Sequence, residues 1–454
     1  MNYTLSIITT VVLIFTCFRE FRIWKLRALL SPALYFSISW AFGTLGLSIL
    51  GPVGLIYDPH PKYIDELNIL VLFTALCFCF WSKKGRNKIV EDDIKINYSL
   101  VSVYNVLSVL FFLAAIYEFI SLGGNLNMAA SRDAVHETSA QRSTIVNYAS
   151  TLDFPLSIFA GYQIIKSIVK KEHFKFLRIL FLILPLFGNL IFSINLGGRV
   201  NFVYCFITYL LGVALALTVN QSLKEYRKPM LIVSSAGIGV LLFISAVGNQ
   251  RDEYKTGEKN LAEQYLSQKS PLLGAIYGPV SYMIASYNGY QLRRLDAVDI
   301  NHLGFGMYTF NGFINWTLPF SSQFGLGDAS IAKSLGIYYY NQETYDFHRE
   351  LYYTTHSGYL TLIKDFGFWG TLICIFILTL VSHNLFVGIQ TKKKIMYASS
   401  LWLYYLFWIY WVKMNFYGTL SNTVLIPLYG FLISDIANYL IAGKKTNKHV
   451  LNRN

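Results

Sequence analysis

The sequence predicts an all-α, polytopic membrane protein, and three observations carry that prediction. First, 54% of the 454 residues are hydrophobic and 17% aromatic, while only 14% are charged; soluble globular chains carry about 25% charged residues. Second, apolar runs of about 20 residues recur along the chain, each long enough to cross a hydrocarbon core of about 30 Å. Third, the basic residues alternate in a topological pattern. Segments 19–27, 82–97, 166–178, 221–229, 391–394 and the tail after 442 together hold 24 Lys and Arg. The short segments on the opposite side hold only Lys62, Arg132, Arg142, Arg199 and Lys413. Cytoplasmic loops retain Lys and Arg during insertion, so this asymmetry puts the N-terminus outside and the C-terminus inside. The net charge of +13 then needs no nucleic-acid partner to explain it.

Taken in order, the first apolar run covers 3–18. Its charges follow it, and it has neither a basic n-region nor a small-residue cleavage site. That is the flank pattern of a retained helix and not of a removed signal peptide. Further spans are expected at 30–50, 65–81, 99–121, 146–165, 177–195, 200–218, 230–248, 358–382, 395–412 and 416–441, which makes about eleven. The predicted organisation is eight helices over 1–248, a large outward loop with short interfacial helices over 249–357, three helices over 358–442 and an inward tail over 443–454. Residues 271–290 carry no charge and compete as a twelfth span. Their three glycines, two prolines and four tyrosines suit an interfacial or re-entrant helix better, so they stay in the loop. The Gly- and aromatic-rich stretch 304–320 suits interface anchoring first and stacking on sugar rings second.

The outward side gathers the residues with chemistry. Arg132 and Arg142 fall between the fourth and fifth spans, Arg199 in the short turn Asn195-Leu196-Gly197-Gly198-Arg199, and Arg251 at the start of the long loop. Membrane insertion works against cations there. A guanidinium stays charged and grips phosphate oxygens bidentately, so such a cluster suits a pyrophosphate whose lipid tail remains in the bilayer. The competing reading is ion pairing with Asp133, Glu137, Asp252 and Glu253. It is weakest for Arg199, whose turn holds no carboxylate. Glu118 and Asp153, at the outer ends of spans, are costly in lipid and are expected to face a cavity or a partner.

Cys17, Cys77, Cys79, Cys205 and Cys374 all lie in apolar spans, so neither a disulfide framework nor a zinc cluster is implied. No HExxH, DxD or Walker pattern occurs. Among eight histidines, His356 stands apart because it sits where the polar loop re-enters the membrane, at a helix N-terminus. A neutral imidazole is favoured there and can accept a proton from a hydroxyl. The plain alternative is a helix-capping histidine.

His356-Ser357-Gly358-Tyr359-Leu360, followed by Ile363, Asp365, Gly367 and Gly370, resembles the H-[N/S]-x-Y-L-x-x-L-x-[E/D]-x-G-x-x-G signature of the O-antigen ligase and polymerase superfamily. Ile363 departs from its Leu, and Ser357 replaces the commoner Asn. The turn Gly197-Gly198-Arg199 is similar to the family's short outward arginine turn. With one long loop late in a many-helix chain, the pattern resembles the Wzy-type repeat-unit polymerases.

The resemblance implies a GT-C-like membrane glycosyltransferase at the outer face of a bacterial inner membrane, its N-terminus periplasmic and its C-terminus cytoplasmic. It implies no cofactor and no metal. The donor would be a growing glycan on undecaprenyl pyrophosphate and the acceptor a repeat unit on the same lipid. A chain-length regulator is a further implied partner. His356 would be catalytic, Arg199, Arg251, Arg132 and Arg142 would hold pyrophosphate, and Tyr359, Asp365, Glu118 and Asp153 would support the site. Two alternatives remain at this stage. An O-antigen ligase would transfer glycan to lipid A-core, and a flippase would favour symmetric repeats and mid-membrane charges. A purely structural scaffold gives no reason for the outward arginines.

Overall fold

A computed structural model describes residues 3–50, 60–86, 98–121, 149, 152–169, 176–195, 199–217, 357–392 and 426–431. It also describes 287, 289–291, 294, 305, 309, 398, 400 and 401. Among them every regular element is helical. These are α1 (Thr4–Trp24), α2 (Pro32–Leu50), α3 (Pro61–Trp81), α4 (Tyr98–Ser121), α5 (Asp153–Val169), α6 (Phe176–Asn195), α7 (Arg199–Leu217), α8 (Gly358–Lys392) and α9 (Ile426–Phe431), with a 3₁₀ turn at Lys25–Leu30.

Five stretches are long and apolar enough to cross a membrane: Thr4–Leu30, Pro32–Ile49, Pro61–Trp81, Val103–Ser121 and Gly358–Thr391. Leu177–Phe192 and Phe206–Leu217 are shorter apolar helices. The protein is helical and membrane-embedded. The span expected at 230–248 lies outside the described residues, as does nearly all of 395–412, and that at 416–441 is described only as α9.

Two units divide the chain. The first holds α1, α2, α3 and most of α8. Hydroxyls tie α1 to α2: Ser6 Oγ donates to Thr44 O at 2.9 Å, and the Thr10 and Thr44 hydroxyls are 2.6 Å apart. Helix α1 runs to Trp24, past the expected edge at 18, and so takes in Arg19 and Glu20. Both have partners that make this tolerable. Arg19 donates to Ser82 Oγ and Cys79 O, each at 3.1 Å, and Ser31 Oγ donates to a Glu20 carboxylate oxygen at 2.6 Å. Trp24 Nε1 donates to Ser82 O at 2.8 Å, so Arg19 and Trp24 satisfy carbonyls at the end of α3 that no helical N–H can reach.

The second unit holds α4, α5, α6, α7 and α9. Here α5 and α7 meet backbone to backbone. A Cβ on Gly161 would stand 2.2 Å from Tyr209 O, and one on Gly212 would stand 2.1 Å from Ile158 O, so only glycine permits the approach. Pro185 interrupts α6 and has no N–H for the carbonyl four residues back. That carbonyl, Phe181 O, accepts the Tyr104 hydroxyl at 3.3 Å, and the neighbouring Leu182 O accepts the Tyr209 hydroxyl at 2.7 Å. In lipid no water is at hand to satisfy a freed carbonyl, so protein donors from α4 and α7 do so.

Candidate functional site

The start of α8 is built in detail. Ser357 precedes the helix and is fully buried. Its Oγ accepts the Tyr359 N–H at 3.2 Å, and its carbonyl accepts the Leu360 N–H at 2.9 Å, which is the role of an N-cap serine. Tyr359 points into the core, where its hydroxyl lies 2.6 Å from Thr74 Oγ1 on α3. Its ring lies 5.8 Å from Trp40 on α2, and Trp40 meets Tyr287 edge-on at 6.0 Å. The Tyr287 hydroxyl donates to Asn68 Oδ1 on α3 at 2.9 Å.

One turn and a half beyond Tyr359, Asp365 holds a piece of the long loop. Its carboxylate accepts the Thr309 N–H at 2.6 Å, and its carbonyl accepts the Phe305 N–H at 3.0 Å. Phe305 adopts a φ of 48°, unusual for a bulky side chain, and leaves its ring 77% exposed. Gly367 then breaks the helix with φ 65° and ψ −176°, a conformation essentially confined to glycine. A Cβ on Gly370 would meet Phe366 Cβ at 2.6 Å. Tyr359, Asp365, Gly367 and Gly370 each therefore have a physical reason for their type.

The loop docks on α3 through a second set of contacts that the sequence reading missed. Arg294 meets Glu66 with two hydrogen bonds, Nε at 2.8 Å and Nη2 at 3.1 Å. The Tyr290 hydroxyl donates to the same carboxylate at 2.5 Å, and Gln291 Oε1 accepts the His60 N–H at 3.0 Å. The Arg294 guanidinium also lies 5.5 Å over the Tyr63 ring. Burial works against the Arg294 charge, but the hydrogen bonds and charge of Glu66 more than offset it, so its pKa rises. Burial first, and Glu66 second, push the Tyr290 phenol well above its ordinary value. The available signal was the spacing 287, 290/291, 294, one helical face, together with Glu66 and Asn68 at the polar start of an apolar span.

The remaining expected site residues stand as follows. His356, Arg132, Arg142 and Arg251 lie outside the described residues. Arg199 is the first residue of α7, and 196–198 lie outside the described residues. Asp153 opens α5, is buried and accepts a hydrogen bond from Ser157 Oγ at 2.7 Å. Glu118 is buried in the last turn of α4. Tyr359 and Asp365 belong to the first unit, Glu118, Asp153 and Arg199 to the second. Among the described residues no group of three His, Cys, Asp or Glu could hold a metal ion. Comparison with protein families, curated proteins and solved structures finds no match for the chain.

Proposed function

We propose that the protein is a polysaccharide polymerase of the Wzy type, with about eleven spans, a periplasmic N-terminus and a cytoplasmic C-terminus in a bacterial inner membrane. It joins oligosaccharide repeat units carried on undecaprenyl pyrophosphate. The observation that carries this reading is the exit helix. Tyr359, Asp365, Gly367 and Gly370 of the signature are each held by a contact or a backbone conformation that suits that residue type. They fix the helix that begins two residues after the signature histidine.

In the reaction His356 takes the proton of an acceptor hydroxyl, and that oxygen attacks the anomeric carbon of the donor. The bond to undecaprenyl pyrophosphate breaks, with inversion, and the lipid pyrophosphate leaves. Arg199, Arg251, Arg132 and Arg142 stabilise the charge that develops on it. The position of Arg199 at the first residue of α7 supports its part, because a helix N-terminus and a guanidinium both favour an anion.

The test is chain extension by variants. His356→Ala inserts normally and stops extension; polymer of normal length in that variant would rule out the catalytic role. Arg199→Lys also loses activity, because an ammonium cannot reproduce the two-pronged grip.

A further inference from the structure

Helix α3 changes character along its length. Lys62, Asp65, Glu66 and Asn68 make its first two turns polar, and apolar residues take over at Ile69. Thr74 stands six residues, or about 9 Å, further along the axis than Asn68. Both side chains are buried, Asn68 at 1% exposure and Thr74 at 0%. Each engages one tyrosine hydroxyl, Asn68 that of Tyr287 from the loop and Thr74 that of Tyr359 from the exit helix. Trp40 lies between the two tyrosine rings, 6.0 and 5.8 Å from them. The exit helix is thus anchored below the polar collar of α3, and the loop at the collar itself.

We infer that Thr74 is a positioning residue for the catalytic end of the exit helix: the Thr74–Tyr359 hydrogen bond sets the depth and rotation at which Ser357, the next residue in sequence after His356, is presented. This rests on the function proposed above. Hydrophobic packing alone does not require hydroxyls here. A phenylalanine or valine would fill the same volume, and lipid-buried helices gain no hydrophobic drive from facing each other. What the hydrogen bonds add is direction. Tyr359 is the second residue of its helix, so rotating that helix or sliding it along α3 breaks its bond to Thr74 first. A misplacement of about 1 Å at a reacting group lowers turnover by as much as a hundredfold.

The experiment uses the full chain in lipid nanodiscs with a defined undecaprenyl-pyrophosphate-linked repeat unit, and compares wild type with Thr74→Val, Thr74→Ser and Tyr359→Phe. Two readouts are taken: kcat and KM for extension, and the rate at which diethyl pyrocarbonate modifies His356, resolved from the other histidines by peptide mass. Thr74→Val and Tyr359→Phe should lower kcat by about tenfold while KM stays within about twofold, and Thr74→Ser should restore most of the rate. The His356 modification rate should change in the two disruptive variants and return in Thr74→Ser, with His383 unaffected. Wild-type kcat and wild-type His356 reactivity in both disruptive variants would overturn the inference. So would equal loss in Thr74→Ser, which keeps the hydroxyl. If wild type itself extends nothing, the proposed function fails, and the His356 reactivities alone decide the positioning claim.

Discussion

The two units hold their helices together by different means. In the second, α5 and α7 approach so closely at Gly161 and Gly212 that no other residue fits; the adhesive of that seam is dispersion between backbones, and the hydroxyls of Tyr104 and Tyr209 bond carbonyls of α6 one turn before Pro185. In the first, side-chain hydrogen bonds and the Glu66–Arg294 ion pair join α1, α2, α3, the described loop residues and the exit helix. Close apposition gives tight packing and little selectivity for rotation about the helix axis. Directional hydrogen bonds at Thr74 and Asp365 constrain the rotation of the exit helix as well. The lesson is that the unit carrying the signature is built for one exact arrangement of a helix end, and the unit with the glycine seam is built for close contact.

The contrast breaks most severely at Glu66. Glu66→Ala leaves the largely buried Arg294 charge without its carboxylate, and the expected loss is about 3 kcal/mol or more. Thermal unfolding in detergent measures it, and the double variant Glu66→Ala/Arg294→Ala should recover part of the loss. Next comes the glycine seam. Gly212→Ala drives a Cβ into Ile158 O, and because backbone must move the cost is about 1–3 kcal/mol. Proteolysis of folded protein should report loosening at α5 and α7 and leave the exit helix protected.

Gly367→Ala forces alanine into a conformation confined to glycine and should cost about 1–3 kcal/mol, with loss of extension exceeding loss of protein. Thr74→Val removes a single hydrogen bond in a lipid-buried setting, for which about 0.6 kcal/mol is typical. Its effect on stability should therefore be small beside its effect on turnover, and this mismatch separates positioning from simple support. The smallest change is with pH. The Tyr290 phenol, buried against Glu66, has a raised pKa in the folded state. A raised phenol pKa gives stability that is complete below the unfolded value of about 10 and lost as pH rises beyond it. Hydrogen-exchange protection at 287–294, measured against the intrinsic base-catalysed rate at each pH, should be constant from neutral pH to about 9 and fall only above about 10.

Much of this was legible in the sequence, for reasons that are themselves physical. Apolar runs must be helices in lipid, so α1 to α4 and the body of α8 followed directly. Gly367, Gly370, Tyr359 and Asp365 were legible through a spaced signature, although their reasons were not: nothing local says that the Asp365 carboxylate meets Thr309 or that Tyr359 meets Thr74. The Glu66–Arg294 pair was missed because its partners lie 228 residues apart, and a charge at the edge of an apolar run reads as a solvated end. The end of α1 was misjudged for a related reason. Arg19 and Glu20 look like a helix stop until Ser82, Cys79 and Ser31 are seen to receive or supply their hydrogen bonds. Partner choice at long range is set by folding, and single residues carry no mark of it.

In the proposed function, the start of α8 presents His356 for glycosyl transfer between lipid-linked glycans. The most direct measurement is to incubate purified protein in nanodiscs with a defined undecaprenyl-pyrophosphate-linked repeat unit and to follow product length and released lipid pyrophosphate. The proposed function requires a ladder of extended glycans with one lipid pyrophosphate released per joining event, absent in His356→Ala. A ladder of the same length from His356→Ala, or no joining by intact wild type, would contradict it.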